Sequence, residues 1–160
     1  MAINRGKDFE RVIKESFEKV PGVSIDRLHD QTNGFAGSAN ICDFIVYKEP
    51  YEYYIECKSV HGNVLPFRNI SKNQWQGMLE KSKIEGVYAG VICWWIDKDV
   101  TMFVPIKFLQ MAKNKNLVGL PLDYASKWDL TDFRHLPFII DGRKKRVFFE
   151  YDMNTFFDRS

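Results

Sequence analysis

No apolar run in this chain approaches the ~18 consecutive residues that a membrane-spanning helix needs, and Met1 to Lys7 lacks the apolar stretch of a secretory signal. The expected location is therefore the cytoplasm. Cysteine is scarce: Cys42, Cys57 and Cys93 are odd in number, lie in apolar surroundings and form no Cys-x-x-Cys pair, which argues against disulfides and zinc clusters. An excess of one charge is lacking too. The net charge is +2, from 23 Lys and Arg against 21 Asp and Glu, so nucleic-acid binding would have to come from local clusters. Two are present, Arg5, Lys7, Arg11 and Lys14 near the start, and Arg143, Lys144, Lys145 and Arg146 near the end. The three histidines, His29, His61 and His135, share no metal-ligand spacing and read as surface or packing residues. Gly34 and Gly37 make no phosphate loop, because no Gly-Lys-Ser/Thr follows them.

What is there suffices for a core. Of 160 residues, 45% are hydrophobic and 28% charged, as in a soluble globule, and the length suits one domain over residues 1–160. Phe9, Val12, Ile13 and Phe17 recur at helical spacing from about Asn4 to Lys19, and Pro21-Gly22 stops the helix. Val23, Ile25 and Arg27 begin a short strand, and His29 to Asn40 has a loop composition. Cys42 to Lys48 and Tyr53 to Lys58 predict a hairpin joined across Glu49-Pro50-Tyr51. Ser71 looks like the cap of a helix with Trp75, Met78 and Leu79 on its apolar face, ending by Gly86. A buried strand from Val87 to Ile96, a turn at Asp97-Lys98-Asp99, a strand from Val100 to Val104 and a helix from Ile106 to Lys113 follow. Beyond Asn114 the pattern weakens, leaving strands at Leu136 to Ile140 and Val147 to Tyr151 around a basic turn. This order predicts an α/β fold with one mixed central sheet flanked by helices.

The acidic residues carry the chemistry. Side chains alternate across a strand, so Glu56 and Lys58 share one face while Cys57 faces the other way. A turn centred on Glu49-Pro50 sets Asp43 opposite Glu56, and one centred on Pro50-Tyr51 sets it opposite Lys58. Both registers gather Asp43, Glu56 and Lys58 on one face. Two carboxylates within a sheet repel and are costly to bury, and a divalent cation removes that difficulty. Hard oxygen ligands suit magnesium, which keeps several waters and can hold a phosphate oxygen, with manganese as a substitute. Lys58 beside it could orient or deprotonate an attacking water and stabilise charge building on a phosphate. A salt-bridge cluster is the plain alternative, yet Glu56-Cys57-Lys58 is the only Asp/Glu-x-Lys in the chain.

The pattern resembles the PD-(D/E)xK nuclease signature, with Asp43 as the first acid, Glu56-Cys57-Lys58 as the second half, and Cys42 where the signature has proline. Asn4-Arg5-Gly6-Lys7 with Phe9-Glu10, and Phe67, Ile70 and Gln74 after the lysine, are similar to RecU-type Holliday-junction resolvases. The likeness covers about Asn4 to Gln74. It implies a restriction-endonuclease-like core and a magnesium-dependent homodimer that nicks four-way DNA junctions symmetrically in recombination or repair. By position, Asp43 and Glu56 would bind metal, the Cys57 backbone carbonyl could add a ligand and Lys58 would be catalytic. Glu10 and Gln74 would line the site, and Asp30 resembles an extra loop acid of resolvases. Arg5, Lys7 and Arg143 to Arg146 are the expected phosphate contacts. The chain is shorter than typical bacterial RecU and Thr32 to Ile41 is brief for a junction-inserting stalk, which a compact phage-type version would reconcile.

Two other readings remain. One is a duplex-cutting nuclease of the same fold, of restriction or repair type. The other is a non-catalytic DNA-binding recombination protein in which the acids are structural. Among the tryptophans, Trp94 and Trp95 lie in a core-strand pattern, and Trp75 alone is a candidate for stacking on bases.

Overall fold

The computed structural model describes residues 5–29, 40–128 and 136–159. Asn4, Asp30 and His135 lie outside them. The first helix, α1 (Arg5–Glu18), buries Phe9, Val12, Ile13 and Phe17, the apolar residues of its periodic face. Gly22, at φ 77°, turns the chain out of it into β1 (Ser24–Arg27), which pairs antiparallel with β2 (Phe44–Lys48). A hairpin leads into β3 (Tyr51–Val60), with Phe44 opposite Ile55 and Lys48 opposite Tyr51. Its loop is therefore Glu49-Pro50, joined by a cis peptide.

From β3 the chain crosses over through β4 (Val64–Pro66) and α2 (Lys72–Ser82) to β5 (Val87–Trp95), which lies parallel to β3. A parallel pair needs such a crossover, and a helix supplies it. Next come β6 (Val100–Pro105), α3 (Ile106–Asn114), β7 (Gly119–Pro121) and α4 (Leu122–Ser126). The last described stretch holds β8 (Phe138–Ile139), β9 (Gly142–Lys144), β10 (Phe149–Tyr151) and α5 (Met153–Arg159). The main sheet runs β1-β2-β3-β5-β6-β8, antiparallel except between β3 and β5, while β4–β7 and β9–β10 form two small antiparallel pairs. The fold is thus α/β, a mixed central sheet flanked by helices. No described helix is long and apolar enough to cross a membrane.

Alternation on β3 divides the core. Tyr54 and Val60 pack with Trp75 and Met78 of α2 and Leu109 of α3, whereas Tyr53, Ile55 and Cys57 pack with Phe9 and Ile13 of α1 and Phe156 of α5. Covered on both sides, β5 is buried almost throughout, as expected of a strand flanked by helices.

Several short elements go beyond the sequence expectations. These are β4 and its partner β7, then α4, β9 and α5 in the region after Asn114, where the apolar pattern fades. The expected basic turn Arg143 to Arg146 lies partly in β9, and the strands on either side are shorter than expected. Trp75 is also corrected: buried against Phe67, it donates its indole N–H to Gln110 Oε1 at 2.7 Å, so its ring is committed to packing.

Candidate active site

Asp43 stands just before β2, where its backbone is held from both sides. Its N–H donates to the Ile55 carbonyl at 3.0 Å, and its carbonyl accepts from the Leu28 N–H at 2.8 Å. Of the two registers open to the sequence, the structure has the one with the Glu49-Pro50 loop, which sets Asp43 beside Glu56. Asp43 Oδ2 accepts the Cys57 N–H at 2.7 Å. Because the N–H and C=O of one strand residue project to the same edge, the Cys57 carbonyl also faces that edge. Its thiol points into the α1-side core.

Glu56 projects to the α2 face and is only 3% exposed. Its Oε2 accepts from Lys58 Nζ at 2.8 Å and from Gln74 Nε2 at 2.9 Å. Its Oε1 is buried and has no hydrogen-bond partner, a costly state for a carboxylate oxygen. Gln74 is fixed by the cap of α2. The Gln74 N–H donates to Ser71 Oγ at 3.1 Å and the Ser71 N–H donates to Gln74 Oε1 at 3.1 Å, a capping box. With its carbonyl so engaged, the Gln74 amide can only turn its NH₂ to Glu56.

Electrostatics reflect two carboxylates facing one ammonium. Burial, and then the Glu56 charge, push the Asp43 carboxyl far above its usual range, to about 7, against the opposing pull of the Cys57 N–H and Lys58. Burial and the same carboxylates push up the Cys42 and Cys57 thiols, Cys42 to about 12, so neither suits a nucleophile. Lys58, with its side chain 23% exposed, reaches from buried Glu56 to solvent.

The structure thus brings Asp43, Glu56, Lys58 and Gln74 together, with the Cys57 backbone at their edge. Glu10 does not join them: α1 packs on the opposite face, and Glu10 Oε2 pairs with Arg27 Nη2 at 3.0 Å. Its charge is felt at the Cys57 thiol. Among the described residues no three of His, Cys, Asp and Glu gather as a metal cage. Three of the four residues of the expected basic cluster near the end stand in ion pairs, with two acids between them. Lys145 and Arg143 lie 3.3 and 3.9 Å from Glu150, and Lys144 pairs with Asp99. His61 pairs with Asp97 at 2.9 Å.

Two contributors escaped the sequence reading. Ser71 was legible as a cap, but its link through Gln74 to Glu56 requires the fold. Gly77 lets α2 pass close to the segment before Asp43, since a Cβ there would lie 2.8 Å from Ile41 Cβ and nearer still to its Cγ2. A glycine inside an amphipathic helix is the only sequence signal for this approach.

No protein-family model matches the chain, and no curated protein matches it significantly. Among solved structures it is similar to Hjc, a Holliday junction resolvase of the archaeal hyperthermophile Archaeoglobus fulgidus, with 19% identity over 64% of this chain and 78% of that one and a TM-score of 0.49.

Proposed function

We propose that this chain is a metal-dependent DNA endonuclease, with Asp43 and Glu56 as metal ligands and Lys58 as the catalytic cation. The observation that carries the reading is Glu56 Oε1, buried without a hydrogen-bond partner beside a second carboxyl raised by burial and then by the Glu56 charge. Lys58 balances Glu56 alone, and Asp43 beside them stays protonated up to about pH 7 unless further positive charge joins the pair. The missing positive charge and the hard oxygen donors fit magnesium, which needs few protein ligands because it retains waters. Asp43, Glu56 and the Cys57 carbonyl would hold it.

A magnesium ion there would supply Lewis-acid polarisation of a phosphate oxygen and a lowered pKa for bound water. The chain's own residues do the rest. Gln74 and Lys58 both bind Glu56 Oε2, which directs Oε1 as the free donor. The Cys57 N–H holds Asp43 Oδ2 and so fixes the carboxyl beside Glu56. Lys58, partly in solvent, orients water and offsets charge building on the phosphate.

The finer assignment is a RecU-type resolvase that nicks four-way junctions symmetrically as a homodimer, since a two-fold dimer matches two strands related by the junction's approximate symmetry. Its support is the resemblance from Asn4 to Gln74. Incubating the protein with labelled four-way junction and matched linear duplex, with magnesium and with EDTA, tests both levels. Magnesium-dependent paired nicks in the junction are expected. Cutting confined to duplex would overturn the resolvase assignment, and no cutting of either would overturn the nuclease.

A further inference from the structure

Positive charge with no acidic partner also lies where the sequence did not point. Five of the expected basic residues stand in ion pairs: Arg11 with Glu15, Lys14 with Glu18, Lys144 with Asp99, and Lys145 and Arg143 with Glu150, which Lys19 also shares. Across the sheet, Arg68, Lys72 and Lys113 line one groove of about 360 Å³ together with Phe67, Trp75 and Gln76, and no carboxylate lines it. Among the described residues none of these three cations has an acidic partner, and all three are exposed. Lys113 is steadied over the Trp75 ring, 4.9 Å from its centroid. Phe67 and Trp75 give the groove a packed floor.

Lys72 opens α2, and Gln74, in the same first turn, donates to Glu56. Two residues apart on a helix, they project to different sides of it, so the groove and the acids flank α2 on separate faces.

We propose that the Arg68–Lys72–Lys113 groove binds the sugar-phosphate backbone of a nucleic acid, and that it contributes more to binding than the Arg143 to Arg146 hairpin, whose cations are mostly held in ion pairs. The identity of the partner rests on the nuclease reading; the location of the contact does not. Cations without internal partners release phosphate counterions without breaking salt bridges, whereas the hairpin lysines must first leave Glu150 and Asp99.

The test is binding of fluorescently labelled DNA, junction and duplex, over a salt series without magnesium. It uses wild type, the groove variant Arg68→Gln/Lys72→Gln/Lys113→Gln, its charge-retaining counterpart Lys72→Arg/Lys113→Arg, and the hairpin variant Lys144→Gln/Lys145→Gln. Thermal melts confirm folding of each. The groove variant is expected to reduce the slope of log K against log salt by about 2–3, at ~0.9 for each phosphate no longer neutralised. The charge-retaining variant should keep the wild-type slope, and the hairpin variant should change it by less than about 1. An unchanged slope in the groove variant, or a larger reduction in the hairpin variant, overturns the proposal. Failure of the nuclease reading is distinguishable: a protein that binds DNA through the groove yet cuts nothing refutes cleavage and leaves the groove standing.

Discussion

Replacing Gly77 with alanine should invert the usual effect of that change. Within an ordinary helix, Gly→Ala stabilises by about 1 kcal/mol through backbone entropy and propensity. Here the new Cβ would stand 2.8 Å from Ile41 Cβ, well inside ordinary carbon contact distance. Either α2 or the segment leading to Asp43 has to move by about 1 Å, and overpacking of this kind costs about 1–3 kcal/mol. The net expectation is a loss of about 1 kcal/mol. Gln74 sits one turn before Gly77 on α2 and holds Glu56, while Ile41 lies two residues before Asp43. The same movement thus separates the two acids, and a displacement of about 1 Å can lower turnover by ~100-fold. Urea titrations of wild type, Gly77→Ala, Ile41→Ala and the double variant form the assay, with junction nicking measured on each. Ile41→Ala removes the nearer Cγ2 but keeps the Cβ at 2.8 Å, so the double variant should recover part of the stability and nicking, giving a coupling of ~0.5–1 kcal/mol. A Gly77→Ala protein more stable than wild type would falsify the close-approach argument.

Three further outcomes are expected. Asp43→Asn and Glu56→Gln should each abolish cleavage while DNA binding persists, since each removes a ligand charge with little change of shape; near-wild-type nicking by either purified variant refutes the metal assignment. Lys58→Ala should fold and retain metal affinity, measured by magnesium titration, but lose at least ~100-fold in nicking rate; normal cleavage with collapsed metal affinity would mean the roles are reversed. In EDTA, stability should fall as pH rises from about 4 towards about 7, because the folded state keeps Asp43 protonated where the unfolded chain has released that proton. Urea midpoints of wild type relative to Asp43→Asn isolate this contribution, and parallel pH profiles for the two would refute it.

Much of the core was legible from local pattern. The α1 periodicity, the hairpin, the Ser71 cap and the buried β5 all rest on residues within a few positions of one another, which is the range over which propensity and alternation act. The triad was legible for the same reason, because Asp43, Glu56 and Lys58 belong to one hairpin. Register was open by one residue: turn composition around Pro50 permits two centres, and only the assembled ladder selects Glu49-Pro50. The pairing of Glu10 with Arg27 was not legible, because periodicity identifies the apolar face of a helix but not which side of the sheet it covers. The short elements after Asn114 carry little pattern of their own. Of these α5 left a trace, Asp152, whose Oδ1 accepts the Asn154 N–H at 3.1 Å at the start of the helix.

The Glu49-Pro50 loop also decides when the acids meet. Pairing β2 with β3 closes a very short loop, whereas pairing β3 with β5 must wait for the chain to cross through β4 and α2, and short closures generally precede long ones. Asp43 and Glu56 therefore come together before Gln74 has arrived to hold Glu56 in place. Two acids that the finished fold holds with Gln74 and Lys58 thus meet first without them, so part of the electrostatic expense of bringing them together falls on the folding barrier and not on the native state alone.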